Sequence, residues 1–288
     1  MPRRAPLLAW LLPLFLVVAT AAQGVERHFL WQVPGERNTV HLLGSIHALR
    51  SGDYPVAPVI DRAFREAEAV VLEIRIPQGG TGATAAQLGN ARGPGLKAQL
   101  TEAQYRQARG LAEAQGIDLE ALSGLDPWLA GLVITQGAMR RAGYDPGQGL
   151  DAHFQQRAEA AGKPVLSLET PRDQLRLFDQ LPREMQGEFL LRTLKETADL
   201  EAELDALVAA WKGGDVAAVR RLVLDQFKPH PGLYERLVVR RNRNWLPQIE
   251  SFLDDRRDYL VIVGAAHLVG DQGLVEMLRR RGHTVTQQ

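Results

Sequence analysis

The chain has 288 residues, with 34 basic and 34 acidic side chains and no cysteine. Charge balance leaves nothing to draw the protein to nucleic acid or to an anionic membrane surface. The missing thiol excludes disulfides, iron–sulfur clusters and a thiolate nucleophile, so any metal must be held by nitrogen and oxygen donors.

Residues 1–22 read as a secretory signal peptide. Arg3 and Arg4 form a positive start, an apolar run over residues 7–19 is broken only by Pro13, and Ala19-Thr20-Ala21 or Thr20-Ala21-Ala22 offers a cleavage point. The run is shorter than the roughly 20 residues of a spanning helix. The expected location is therefore periplasmic or secreted, with no membrane span after cleavage. The alternative is an uncleaved N-terminal anchor. Residues 23–288 are then expected to form a single domain.

Residues 28–33 and 39–43 predict a hairpin around the turn chemistry of Pro34-Gly35-Glu36-Arg37-Asn38. Residues 56–68 predict a helix with Val59, Ile60, Ala63, Phe64 and Ala67 on one face. Ala69-Val70-Val71-Leu72-Glu73-Ile74 is a nearly continuous apolar strand, the pattern of a strand covered on both faces. Residues 77–95 hold six glycines and two prolines. They read either as a flap over a site or, the expectation preferred here, as a partly disordered insertion.

The middle of the chain is mostly helical. Thr101 with Gln104 forms a capping box, and Pro127 suits a first helical turn. Gly149-Leu150-Asp151 opens a helix for which Asp151 is the expected N-cap. Residues 163–168 predict a short strand, and residues 171–211, 215–227 and 232–253 further helices. Residues 258–263 are the last buried strand, followed by a helix at 274–280 and an edge strand at 283–286. Strands at both ends of a helical middle predict an α/β fold. Its mixed central sheet is flanked by helices and carries a helical insertion at about 101–255.

A short pattern occurs twice. Gly44-Ser45-Ile46-His47 follows the apolar run ending at Leu43, and Gly264-Ala265-Ala266-His267 follows the run ending at Val263. Each is a buried strand that ends in glycine and then presents a histidine. Glycine tolerates the close backbone approach of a strand-to-loop corner. Imidazole is both the commonest metal ligand and the usual acid or base near neutral pH. In open α/β sheets, sites form beyond the carboxyl ends of the strands. His47, His267 and Glu73 all fall there, and two imidazoles with one carboxylate make a metal set with room for water or substrate.

Arg241 and Asn242 fall on or beside the buried stripe of helix 232–253, whereas Arg236, Arg240 and Arg243 share a solvated face. A buried arginine needs a partner. Either Arg241 forms a structural ion pair with Glu73 or Glu169, or it stabilises a developing oxyanion while Asn242 orients a ligand or water. Glu169, just ahead of Thr170-Pro171, reads first as a helix cap. His28, His41, His153, His230 and His283 lack a comparable setting and are expected to be structural or exposed. No nucleophile elbow and no phosphate-cradling loop is present.

The ordered set of these pieces resembles the TraB/GumN family, whose animal relatives are the Tiki membrane-associated proteases. The pieces are Gly44-Ser45-Ile46-His47, Ala63-Phe64 through Val71-Leu72-Glu73, Pro127-Trp128 and Gly149-Leu150-Asp151. They continue with Gly162-Lys163-Pro164-Val165, Leu168-Glu169-Thr170, Arg241-Asn242 and Gly264-Ala265-Ala266-His267-Leu268-Val269-Gly270. The resemblance spans roughly residues 25–285. It implies a fold related to the erythromycin-esterase and ChaN-like proteins. It also implies a metal-dependent peptidase with His47 and His267 as ligands of a divalent ion (Mn, Co or Zn). Glu73 would be a further ligand or base, with Arg241 and Asn242 beside it. Gly44, Ser45, Gly264 and Glu169 would support them. Ser45 stands where the family often has threonine, which keeps the hydroxyl; no C-terminal anchor like that of the Tiki branch is visible.

The leading expectation is thus an exported metal-dependent hydrolase acting on a peptide or protein. A non-catalytic binding protein for a peptide, signal molecule or haem-like ligand is the alternative. A metal-free esterase using a histidine base is a third reading.

Overall fold

Uninterrupted apolar runs decide where the sheet forms. A computed structural model describes residues 27–91 and 95–288. The segment read as a signal peptide lies outside the described residues, as do residues 92–94 of the glycine-rich stretch. In chain order the first elements are β1 (Leu30–Pro34), β2 (Thr39–Ser45), α1 (Pro58–Glu66), β3 (Ala69–Leu72), α2 (Gly82–Gly89), α3 (Leu96–Gln99), α4 (Glu102–Ala114), α5 (Pro127–Arg141) and α6 (Leu150–Ala160). Then come β4 (Val165–Ser167), α7 (Pro171–Asp179), α8 (Arg183–Glu196), α9 (Leu200–Lys212), α10 (Val216–Leu224) and α11 (Pro231–Tyr234). A π-helical segment (Glu235–Val239) leads into α12 (Arg240–Leu253), and β5 (Tyr259–Gly264), α13 (Leu274–Arg280) and β6 (Thr286–Gln287) close the chain.

The six strands form one mixed sheet in the order β4-β3-β5-β2-β1-β6. The four strands from β4 to β2 run parallel; β1 pairs antiparallel with β2 and with β6. β5, the last long strand of the chain, sits between β3 and β2. Leu260, Val261, Ile262 and Val263 are fully buried, as are Val70, Val71 and Leu72. Such strands are covered on both faces, with α6 against β3 and α12 against β2. Each such side chain contributes about 1.5–3 kcal/mol of burial.

The helical middle builds cores of its own. Ala108 and Ala112 of α4, Ala130 and Ile134 of α5, and Leu190 and Leu194 of α8 form one cluster; Trp128, Leu129 and Leu175 form another. The Thr101–Gln104 capping box is present at the start of α4. The stretch expected to be partly disordered instead holds α2, which packs on α5 and α7. Turn glycines Gly79 and Gly80, at φ +84° and +78°, precede it. Gly89 ends it so close to Trp128 that a Cβ would lie 2.6 Å from the indole ring. The alanines between these glycines are strong helix formers, a signal hidden by the glycine count. Among the described residues, no helix is long and apolar enough to cross a membrane.

Candidate functional site

The register of the parallel strands brings the remote motifs together. Ser45 of β2 lies beside Gly264 of β5, and Leu72 of β3 lies beside Ile262. The two Gly-x-x-His turns therefore leave neighbouring strand ends, while Glu73 emerges one strand over on the other side of β5. Gly44 pairs with Val263 and Gly264 with Ser45, so the two motifs sit one residue out of step. Gly44 is required by packing: a Cβ would stand 2.3 Å from the Phe29 ring. Its carbonyl accepts from Trp211 Nε1 at 2.6 Å. Gly264 is required by the site: a Cβ there would meet His47 Nε2 at 3.0 Å and Glu73 Oε1 at 3.1 Å.

Glu73 is 4% exposed and fully engaged. Its Oε1 accepts the Gly264 N–H at 2.7 Å; its Oε2 accepts from Gln174 Nε2 at 3.0 Å and from Arg241 Nη2 at 2.5 Å. Burial alone would raise its pKa, but Arg241 foremost, the two histidines and the Gly264 N–H hold it well below the usual carboxylate range. Glu169, at the end of β4, receives Arg241 Nε and Nη2, the latter at 2.5 Å. One guanidinium thus serves two carboxylates. Burial, and the charge of Glu73, push Glu169 upward despite Arg241. Both ion pairs weighed from the sequence exist at once. The cap of α7 is Thr170, whose side chain accepts the Asp173 N–H, so Glu169 is not the helix cap expected.

Arg241 reaches the sheet from α12. The π-helical turn just before it widens the helix where Arg241 and Asn242 must both face inward; such turns occur frequently at functional sites. The guanidinium lies 4.5 Å over the Trp245 ring. Arg240 and Arg243, by contrast, reach half-buried Glu235 at the surface.

Hydrogen bonding fixes the state of each histidine. Asn242, fully buried, uses its amide N–H groups on the carbonyls of His267 and Gln272, so its Oδ1 is an acceptor toward His267 Nδ1 at 2.7 Å. His267 Nδ1 therefore carries the proton and Nε2 the lone pair. That lone pair accepts from Arg241 Nη1 at 2.9 Å and lies 3.7 Å from Glu73 Oε1. Burial first, then Arg241 and His47, keep His267 neutral far below its usual pKa.

His47 is held from the opposite side. Its Nδ1 bonds Asp151 Oδ2 at 2.8 Å, and Ser45 Oγ donates to Asp151 Oδ1 at 3.1 Å. Asp151 foremost pushes the His47 pKa up. The side chain is 62% exposed, so solvent screens part of that push. Asp151 is not the N-cap expected from the sequence: Gly149 holds that position, with the Leu150 N–H bonded to Ile46 O. A Cβ on Gly149 would strike His47 O at 2.2 Å, so only glycine lets α6 approach this closely. Sequence reading missed Asp151 and Gln174 as site residues. The Gly149-Leu150-Asp151 motif was a signal for the first; none marked Gln174.

His41, in β2 and 8% exposed, is structural as expected, with burial lowering its pKa. His153 packs at a tilt against the Tyr54 ring, with ring centroids 4.5 Å apart.

Among the described residues, no group of three or more His, Asp or Glu side chains is already spaced to hold a metal ion. The donor chemistry nevertheless fits one. Each histidine has its Nδ1 bonded to a protein group, the arrangement that orients metal-ligating imidazoles. Ligand atoms of one tetrahedral ion stand about 3.4 Å apart, near the 3.7 Å between His267 Nε2 and Glu73 Oε1. Two carboxylates on one guanidinium leave net negative charge for a cation. The contact that would have to open is Arg241 Nη1 to His267 Nε2.

Fold and site together define an α/β protein with a buried carboxylate–guanidinium–imidazole cluster at the carboxyl edge of its parallel strands. The chain belongs to the TraB/PrgY/gumN family, whose sequence profile matches residues 29–287. It is similar to YbaP of Escherichia coli (strain K12), 26% identical over 261 residues that cover 88% of this chain and 94% of that protein. A Treponema pallidum (strain Nichols) protein is 24% identical over 273 residues, 89% of this chain and 81% of the other. A metalloprotease TIKI homolog of Amphimedon queenslandica is 29% identical over 161 residues, 47% of this chain and 32% of the homolog. No solved structure matches the chain.

Proposed function

We propose that the protein is an exported metal-dependent hydrolase that cleaves amide bonds of a peptide or protein. The observation that carries this reading is the pair of histidines, each anchored through Nδ1 and each presenting Nε2 toward Glu73. The similarity to a protein named a metalloprotease supports the same class. His47, His267 and Glu73 would hold a divalent ion, which lowers the pKa of water and polarises a carbonyl. Arg241, freed from His267 Nε2, keeps Glu73 ionised and offers Nη1 to a developing oxyanion. Asn242 keeps the proton on Nδ1 of His267, and Asp151 keeps His47 in place. Export would rest on residues 1–22.

The test joins metal-binding calorimetry with manganese, cobalt and zinc to a peptide-library cleavage assay with and without chelator. Cleavage that needs metal and is lost in His47→Ala and His267→Ala is the expected result. Binding and turnover unchanged in both variants would refute the assignment. A haem absorbance band with no cleavage under any of the three metals would favour the ligand-binding alternative.

A further inference from the structure

One cavity lies away from the strand ends. It has a volume of about 790 Å³ and lies among the helices of the middle segment. Arg172 and Arg176 of α7 and Arg183 of α8 line it, with Gln99, Asp126 and Asp179. Arg172 and Arg176 are one turn apart on α7, a like-charge pair that weakens a helix unless something neutralises it. Among the described residues none of the three arginines forms an ion pair, whereas Arg109 and Arg192 each pair with a glutamate four residues on. The two acids do not fill that role. Asp126 Oδ1 accepts from Gln99 Nε2 at 2.7 Å, and Asp179 is engaged by a partner of its own.

We propose that this cavity is a binding site for a small ligand carrying phosphate groups. A carboxylate has two oxygens and one arginine fork satisfies it, whereas three guanidiniums facing one space match the oxygens of a diphosphate. The 790 Å³ volume has room for an organic group beyond the phosphates. Gln99 offers a neutral polar contact for it. The first N–H groups of α8, which has no side-chain cap, add donors of the same sign. The site is separate from the strand-end cluster: Gln174 on the same helix turns to Glu73, while Arg172 and Arg176, two residues either side, turn away to the cavity.

The experiment is calorimetric titration of the purified protein with sodium pyrophosphate, in chelator and at about 100 mM salt, where charges beyond roughly 10 Å are screened. Expected is a saturable event that weakens at least about tenfold, or some 1.4 kcal/mol, in Arg172→Ala/Arg176→Ala. The same event should persist in Arg140→Ala/Arg141→Ala and in His47→Ala. All three arginines are exposed, so thermal unfolding of the double variant should match the parent. Three results would each overturn the proposal: no saturable heat, an equal loss in His47→Ala or in the control pair, and equal affinity for tricarballylate, a tricarboxylate without phosphate.

Discussion

Replacing Arg241 by methionine tests whether one buried cation holds the site together. Methionine keeps the apolar stem against Trp245 but removes every guanidinium contact. Glu73, 4% exposed, would retain only the Gly264 N–H and Gln174, and Glu169 would lose its only ion pair among the described residues. Removing one partner of a buried pair costs about 3–5 kcal/mol. For a domain of this size that lowers the melting temperature by roughly 6–20 °C. The pH dependence carries a sign. In the parent, Arg241 holds Glu73 below the ordinary carboxylate value of 4.5, so its contribution is present above that value and is lost only as pH falls through the lowered one. In the variant, burial without Arg241 moves Glu73 the other way and Glu169, already raised, further up, so both take up protons on mild acidification. The stability gap between parent and variant should therefore narrow from pH 7 to pH 5. Adding Glu169→Gln to the variant should restore at least about 1 kcal/mol. Circular-dichroism melts across that pH range are the assay. A melting point within about 2 °C of the parent, or a gap that widens toward pH 5, would refute the ion-network argument.

Gly264→Ala should leave the fold intact while displacing the site. The backbone at φ −51° accepts alanine, and the nearest atoms to the added methyl are the ends of His47 and Glu73 at 3.0 and 3.1 Å. His47 is exposed and can yield; Glu73 is fixed. Unfolding should shift by no more than about 1 kcal/mol while divalent-metal affinity falls at least tenfold; a variant with full affinity would show that His47 does not act beside Glu73. His41 gives a second pH test, away from the site. Burial lowers its pKa from 6.5, and among the described residues its Nδ1 has no hydrogen-bond partner. The folded state resists its protonation, so stability is fully present above about 6.5 and declines as pH falls toward the lowered value. His41→Gln should flatten that acid limb, and a limb of unchanged slope would assign the loss to other groups.

What could be read from the sequence is what is local. A strand, a glycine and a histidine three residues on is a pattern within one segment, and it placed His47 and His267 at strand ends correctly. Arg241 and Asn242 were found because helical periodicity put them on a buried stripe where polar residues need a reason. Asp151 was misread because a single sequence shows an acid at a helix start and not the partner across space. Only the fold reveals that Gly149 takes the cap and that Asp151 turns back to Ser45 and His47. Gln174 is one polar residue among many on α7, and nothing in its spacing distinguishes it. The π-helical turn before Arg241 likewise has no signature in residues 235–239.

The strand order explains why the site and the fold are completed together. β2 and β3 are not neighbours; β5 lies between them and bonds to both. Until residues 259–264 insert, those two strands have unpaired backbone edges, and His47 and Glu73 have no common neighbour. The same insertion delivers the Gly264 N–H to Glu73 and carries His267 into its place beside Asn242. Arg241, on the helix just before β5, arrives with it. The chemistry is therefore anchored to fully paired, fully buried central strands. His47, the one largely exposed member, is fixed instead by Asp151. An exposed imidazole held by a single carboxylate at the rim of an otherwise buried cluster suits a site that must admit a ligand without disturbing the sheet beneath it.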